Sequence, residues 1–201
     1  MIKVLDFEYS ASITALSEKQ FNAHMGLYKG YVAKVNEITE KLNAPDGGRQ
    51  DSNAVYSYYR GLKESESFAI DGCILHELYF ENIGGDKGIA GTKTKKIIDV
   101  QFGGFDAFAE DLKACCKAAR GWCVFLYEPR TDSFRNIMLD AHNVGENALG
   151  QPILVIDMYE HAYFYDYLAD KGKYIDNIFQ NINWDVVENR VGYILKSKPL
   201  V

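Results

Sequence analysis

The first strong pattern in the chain is a helical one. In "SEKQFNAHMGLYKGYVAKVNEITEKLNAPDGG" the residues Phe21, His24, Leu27, Tyr28, Tyr31, Val35 and Ile38 recur at three- and four-residue spacing, while Lys34, Glu37, Glu40 and Lys41 fall on the opposite face. Ser17 is placed to cap this helix, with Gln20 as its capping-box partner, and "NAPDGG" ends it. A second helical region is expected over 52–82, with a break near Gly61. Ile70, Cys73, Ile74, His76, Leu78 and Phe80 crowd together there, which predicts a helix buried on most sides. "IGGDKGIAGTKTKK", residues 83–96, reads as a linker. The stretch "GGFDAFAEDLKACCKAARG" follows as an amphipathic helix with Phe105, Phe108, Leu112, Cys115 and Ala119 on one stripe and Gly121 as its stop. Then the period changes. "WCVFLYEP" and "RNIMLDAHN" are strand-like and joined by "RTDS", "PILVID" is an apolar run suited to a strand covered on both faces, and helical patterning resumes from Tyr159. The order is an α-rich part followed by an α+β part, with the boundary expected near residue 90: a helical unit over 1–90 and an α+β unit over 91–201.

Composition narrows the function classes. At 201 residues, with 47% apolar and 25% charged residues, the chain can build a substantial core. Its net charge of −6 argues against a nucleic-acid binder or a membrane-surface protein. No apolar run approaches the ~20 residues of a membrane span, and the N-terminal stretch has no basic region followed by an apolar one. Cys73, Cys115, Cys116 and Cys123 form no CxxC pair, so reduced thiols in a cytoplasmic protein are expected.

The candidate chemistry lies in the histidines. His24, His76, His142 and His161 each sit in an apolar or aromatic stretch of a different element, and Asp157 ends the third strand just before "MYEHAYFYDY". A single histidine on an apolar face is ordinarily a hydrogen-bonded core residue. Several of them, beside a carboxylate, carry polar nitrogens that burial must satisfy, and neutral imidazole is the commonest metal ligand. A carboxylate among histidines suits zinc, iron or manganese better than calcium or magnesium. Residue chemistry by itself leaves both readings open.

A family resemblance resolves the choice. "DMYEHAYFYDY" followed by "KYIDNIFQNINWDVVENR" resembles the iron/manganese superoxide dismutases, whose signature D-x-W-E-H-A-Y-Y precedes a segment ending in N-x-x-N-W; Asp157, Glu160, His161, Ala162, Tyr163, Tyr174, Asn181, Asn183 and Trp184 match it. "FGGFDAFAEDLKACCKAARGW" is similar to that family's F-G-S-F-D-x-F helix leading to a G-W strand, with Trp122 in place. "GCILHELYFENIGG" and "AHMGLYKGYVAKVNEI" resemble its two N-terminal helix motifs, and the likeness runs over about residues 20–190. It implies an α+β fold: an N-terminal α-helical hairpin, then a C-terminal domain with a three-stranded antiparallel sheet and flanking helices.

The resemblance further implies one iron or manganese per chain, held by His24, His76, Asp157 and His161, and the conversion of superoxide to dioxygen and hydrogen peroxide. It implies a homodimer in which Glu160 reaches His161 of the partner chain and fixes its imidazole. The family's solvent-tuning glutamine comes from one of two positions, which here are Gly72 and His142, with Asn143 one residue away from the latter. His142 is therefore the outer-sphere candidate, acting with Tyr28 or Tyr31 in proton supply. Trp122 is retained beside the site, but the family's other tryptophan walls correspond to Phe80, Val124 and Tyr159. Its gateway histidine falls on Tyr28, that histidine's cross-dimer tyrosine on Phe164, and its positive gate residue on Lys171. These replacements keep open a metal-binding dimer of the same fold with weak or lost dismutation; the other readings are a purely structural or interaction protein, in which the histidines need not be matched to metal, and a non-haem iron oxygenase, whose facial triad is also two histidines and a carboxylate.

Overall fold

The computed structural model describes residues 1–145, 147 and 150–197. Two long helices come first, α1 (Glu18–Asn43) and α2 (Tyr58–Glu81), packed along each other. Ser17 caps α1 by accepting a hydrogen bond from the Gln20 amide. The Gln20 side chain does not complete a capping box; it turns inward, as described below. The second helix starts at Tyr58 under a Ser57 cap, later than residue 52, and runs unbroken through Gly61. It is not buried on most sides: Ile70 and Ile74 are exposed, and the inward stripe is Leu62, Ala69, Cys73, His76, Tyr79 and Phe80.

Beyond α2, α3 (Lys93–Phe102) and α4 (Phe105–Ala118) precede the sheet strands β1 (Trp122–Glu128), β2 (Ser133–Leu139) and β3 (Gln151–Asp157). The linker expected to reach residue 96 is thus cut short by α3, whose Thr92 cap lies inside it. This helix buries only Thr94 and Ile98, too little to print a periodic stripe on the sequence. The sheet order is β2-β1-β3, and β1 pairs antiparallel with both neighbours. As a central strand packed on both faces, β1 is buried along its whole length. A 3₁₀ turn (Glu160–Ala162) then leads to α5 (Phe164–Tyr167), α6 (Lys171–Gln180) and α7 (Trp184–Ser197). The fold is α+β, two long helices followed by a three-stranded antiparallel sheet with helices. No helix among the described residues is long and apolar enough to cross a membrane.

Side chains of buried asparagines hold the two parts in register. Asn82, closing α2, pairs with the backbone of Val155 on β3 in both directions, at 2.9 Å each. Asn181, closing α6, accepts from the amides of Thr14 and Ala15 ahead of α1. These bonds set how α1 and α2 stand against the end of β3.

Candidate metal centre

Four side chains from four places meet where α1, α2 and β3 converge. His24 faces inward from α1, His76 from α2, Asp157 ends β3, and His161 lies in the 3₁₀ turn rather than at the start of a regular helix. One ligand atom from each lies within 4.8 Å of all the others. Asp157 Oδ2 is 3.0 Å from His24 Nε2, 3.1 Å from His161 Nε2 and 3.8 Å from His76 Nε2. His24, His76 and Asp157 are fully buried, and His161 is half-buried.

Hydrogen bonding fixes which atoms face inward. His76 Nδ1 donates to the Gly72 carbonyl at 2.5 Å, one helical turn back, so its Nε2 carries a lone pair. That Nε2 is buried and has no hydrogen-bond partner. A lone pair is therefore aimed at a carboxylate oxygen, an arrangement of two acceptors that favours a cation between them. Donor atoms each about 2.1 Å from one ion stand about 3–4 Å apart, which the carboxylate–imidazole separations match. Three imidazoles and one carboxylate fit iron or manganese by donor type.

The electrostatics agree. Burial pushes the His24 pKa down against the pull of Asp157, and pushes His76 down to about 3, so both rings are neutral and able to ligate. Burial also works against protonation of His161, but the charge of Asp157 and its hydrogen bond outweigh it and raise that pKa. Desolvation by itself would raise Asp157; His161 and His24 overcome it and hold the carboxyl far below the usual range.

Surrounding groups lock each ligand. Tyr159 N donates to Asp157 Oδ1 at 2.9 Å, and the Tyr174 hydroxyl donates to the Asp157 carbonyl at 2.8 Å. Buried Gln20 donates to the His161 carbonyl at 2.6 Å and accepts from the Tyr165 amide at 3.0 Å, joining α1 to the 3₁₀ turn. The capping spacing of Gln20 hides this role in the sequence; its place four residues before His24, on the same helix face, is the signal for it. Phe80 packs on His24 and Trp122 stands edge-on to His76, each with ring centroids 5.0 Å apart, while Tyr159 stacks on His161 at 5.1 Å.

His142 lies not at the end of β2 but beyond it, in a turn closed by the Ala141–Val144 bridge. Trp122 Nε1 can only donate, so His142 Nδ1 accepts it at 2.9 Å. The proton of the neutral ring is then on Nε2, which donates to the Tyr31 hydroxyl at 2.7 Å. Burial holds the His142 pKa down at about 4, keeping the ring neutral. Asn143 instead donates to the exposed Ser67 hydroxyl. The Tyr31 ring lies 5.2 Å from that of His76 and has the room to do so because residue 72 is glycine: a Cβ there would meet Tyr31 Cδ1 at 2.9 Å.

Tyr28 is fully buried, but its hydroxyl is taken by Glu77 at 2.7 Å and by the Leu5 amide at 2.9 Å. It is not part of the Tyr31–His142–Trp122 chain. Val124 lines a cavity of about 400 Å³ with His142 on its wall. Glu160 is exposed and its carboxylate makes no hydrogen bond or ion pair within the described residues, its carbonyl accepting from the Tyr163 amide, and Phe164 and Tyr165 beside it are also exposed. Lys171 Nζ donates to the Ala119 carbonyl at 2.6 Å, which fixes its charge at the turn between α4 and Trp122.

Comparison with known proteins gives a consistent result. The family described as iron/manganese superoxide dismutases, C-terminal domain, matches residues 90–190. The chain is 44% identical to a superoxide dismutase [Fe] of Aquifex pyrophilus over 182 residues, covering 90% of this chain and 84% of that protein. It is 32% identical to a superoxide dismutase [Mn/Fe] of Aeropyrum pernix over 203 residues, covering 98% and 92%.

Proposed function

The chain belongs to the iron/manganese superoxide dismutase family, and from that premise we infer that it converts superoxide to dioxygen and hydrogen peroxide at one iron or manganese ion per chain. In this reading His24, His76, Asp157 and His161 hold the ion. The observation that carries it is the buried, unpartnered Nε2 lone pair of His76 facing Asp157 Oδ2 inside the cluster that His24 and His161 complete. When bound, the ion supplies the one-electron redox couple.

The residues of the chain do the rest. Gly72, Tyr159 and Gln20 orient the ligands through backbone and side-chain hydrogen bonds, the means by which outer groups tune a metal site. Tyr31 is the proton-bearing group next to the site. Because His142 donates to Tyr31 Oη and accepts from Trp122, both nitrogens of its ring are engaged. His142 therefore acts through Tyr31, holding that hydroxyl in place and leaving its proton free to be given. Burial raises the Tyr31 pKa, so the hydroxyl keeps this proton at neutral pH. Tyr28 acts at one remove, its ring stacked on His76 and its hydroxyl held by Glu77. Phe80, Trp122 and Tyr159 exclude bulk water around the ligands. The ammonium of Lys171 offsets the net negative charge of the protein for an approaching superoxide anion.

The exposed, unpaired Glu160 beside exposed Phe164 and Tyr165 supports a homodimer in which Glu160 engages His161 of the partner subunit. The four free thiols are in keeping with the cytoplasm, and the change from paired helices to mixed structure supports a unit boundary near residue 90. The test is metal analysis and a dismutation assay on one purified sample. About one iron or manganese per chain with rapid turnover is expected; stoichiometric metal without turnover would establish the metal-binding reading instead.

A further inference from the structure

Ahead of α1 the chain lies along the outside of the helix pair. Residues 1–9 join no helix or strand, and among the described residues no backbone–backbone hydrogen bond holds them. Side chains of α1 hold them instead. The Ile2 amide donates to Asn36 Oδ1 at 2.9 Å, and the Ile2 carbonyl accepts from Asn36 Nδ2 at 3.0 Å. The Leu5 amide donates to the Tyr28 hydroxyl at 2.9 Å, and the Tyr9 ring packs on Phe21 with centroids 5.8 Å apart. Ile2, Leu5 and Tyr9 thus meet Asn36, Tyr28 and Phe21 in turn. Those steps along a helix are about 12 Å and 10 Å, and the matching steps of extended chain are about 10 Å and 13 Å. The arm therefore runs extended and antiparallel along α1.

One side chain of the arm leads to the metal centre. Phe7 packs on Tyr28 at 6.1 Å and on Phe80 at 5.4 Å, and Phe80 is the ring that lies on His24. Phe7 and Tyr9 are half-buried, and every other residue of 1–12 is exposed. The root of the arm is anchored: Ile13, Ala15 and Leu16 are buried, and the amides of Thr14 and Ala15 donate to Asn181. A segment with an anchored root, two half-buried rings and a few side-chain latches opens at far smaller cost than the core beneath it.

We propose that residues 1–9 are a strap that closes the Phe80 side of the metal centre, with Phe7 as its wedge, and that their lifting from α1 sets how fast the ion enters and leaves. With the strap down, Phe80 is buried beneath Phe7, and His24 beneath Phe80. With it up, Phe80 and Tyr28 lose their cover. The Tyr28 hydroxyl accepts from Leu5 and donates to Glu77, the residue after His76, so one latch joins the strap to both helices. The strap holds none of the ligand atoms, so its lifting changes entry and exit by the same factor and leaves affinity as it is. The inference rests on the metal reading of the site given above.

The test uses the full chain, stripped of metal and reloaded with manganese(II) or iron(II). Uptake is followed as metal content after rapid desalting, and release as transfer to an excess of chelator. Pulsed hydrogen exchange reports on residues 1–9 and on β1 in the same samples. Asn36→Ala removes the Ile2 latch and should raise both rates about 3–10-fold. Phe7→Ala should raise both about 10-fold, and Phe7→Leu, which refills the wedge, should fall back toward the parent. In each variant Kd should be unchanged, exchange should rise over residues 1–9, and exchange in β1 should match the parent. Rates that ignore Asn36 and Phe7, or that rise only together with exchange in β1, would overturn the proposal. Rates that respond to Glu160→Gln alone would put the route on the His161 side and overturn it as well. A parent chain that takes up neither ion refutes the metal reading and the strap with it, whereas a chain that loads but ignores the strap variants refutes the strap alone.

Discussion

The His142 ring is held by two hydrogen bonds of opposite direction. In its neutral form it presents one acceptor to Trp122 and one donor to Tyr31, and a glutamine amide offers the same pair. His142→Gln is expected to retain metal and most activity, while His142→Ala, which leaves the Trp122 donor and Tyr31 unsupported, should lose about 10–100-fold in turnover with metal still bound. Full activity in the alanine variant would remove His142 from the mechanism. The same substitution has a pH signature. The folded chain holds the His142 pKa near 4, but the unfolded chain takes up that proton near 6.5. Stability from this group is therefore complete above 6.5 and lost as pH falls toward 4. In metal-free protein the denaturation midpoint of His142→Gln should depend less on pH across that window than that of the parent. Gly72→Ala tests the neighbouring contact: its Cβ would strike the Tyr31 ring, so dismutation should fall about 10–100-fold while the metal content is unchanged.

At the scale of elements, the site depends on α2 standing correctly against β3. Asn82 makes that junction by pairing with both backbone groups of Val155, two residues before Asp157, and it also accepts from Arg190 on α7. Asn82→Ala would leave buried backbone groups unpaired and should cost roughly 2–4 kcal/mol in urea denaturation. An unchanged midpoint would mean that the strand end is held by other contacts. The elements themselves were unequally legible. The first helix was plain in the spacing of Phe21, His24, Tyr28 and Val35, and the strands were plain in their apolar runs. By contrast, α3 was hidden because it buries so little, and the break expected at Gly61 was absent because a helix tolerates one glycine when its neighbours pack.

For the whole molecule, the ion is the large term, and the proposed homodimer adds a second one to test. An ion that binds only the folded chain stabilises it by about 2.7 kcal/mol at a hundred times its Kd, and a chain of this size shifts by about 2–4 °C per kcal/mol. Chelation should therefore lower Tm by roughly 5–11 °C, and adding back iron or manganese should restore it. Glu160→Gln should weaken self-association, read as a rise in the monomer fraction on dilution in analytical ultracentrifugation. A parent chain that sediments as a monomer at all concentrations would end the dimer proposal.

The sequence by itself determined the ligand types, their order along the chain and the family. Histidine, histidine, aspartate and histidine at 24, 76, 157 and 161 were picked out by the family motifs they sit in, since residue chemistry by itself left the metal reading open. Only the tertiary structure decided what those residues do to one another. That His76 turns its lone pair inward depends on the Gly72 carbonyl one turn back, and the tautomer of His142 depends on an indole twenty residues away in sequence. The inward turn of Gln20 and the engagement of Tyr28 by Glu77 likewise come from packing between elements. Local periodicity records which face of a helix or strand is apolar. It does not record which buried polar atoms face each other across the core, because that pairing is set by how the elements dock.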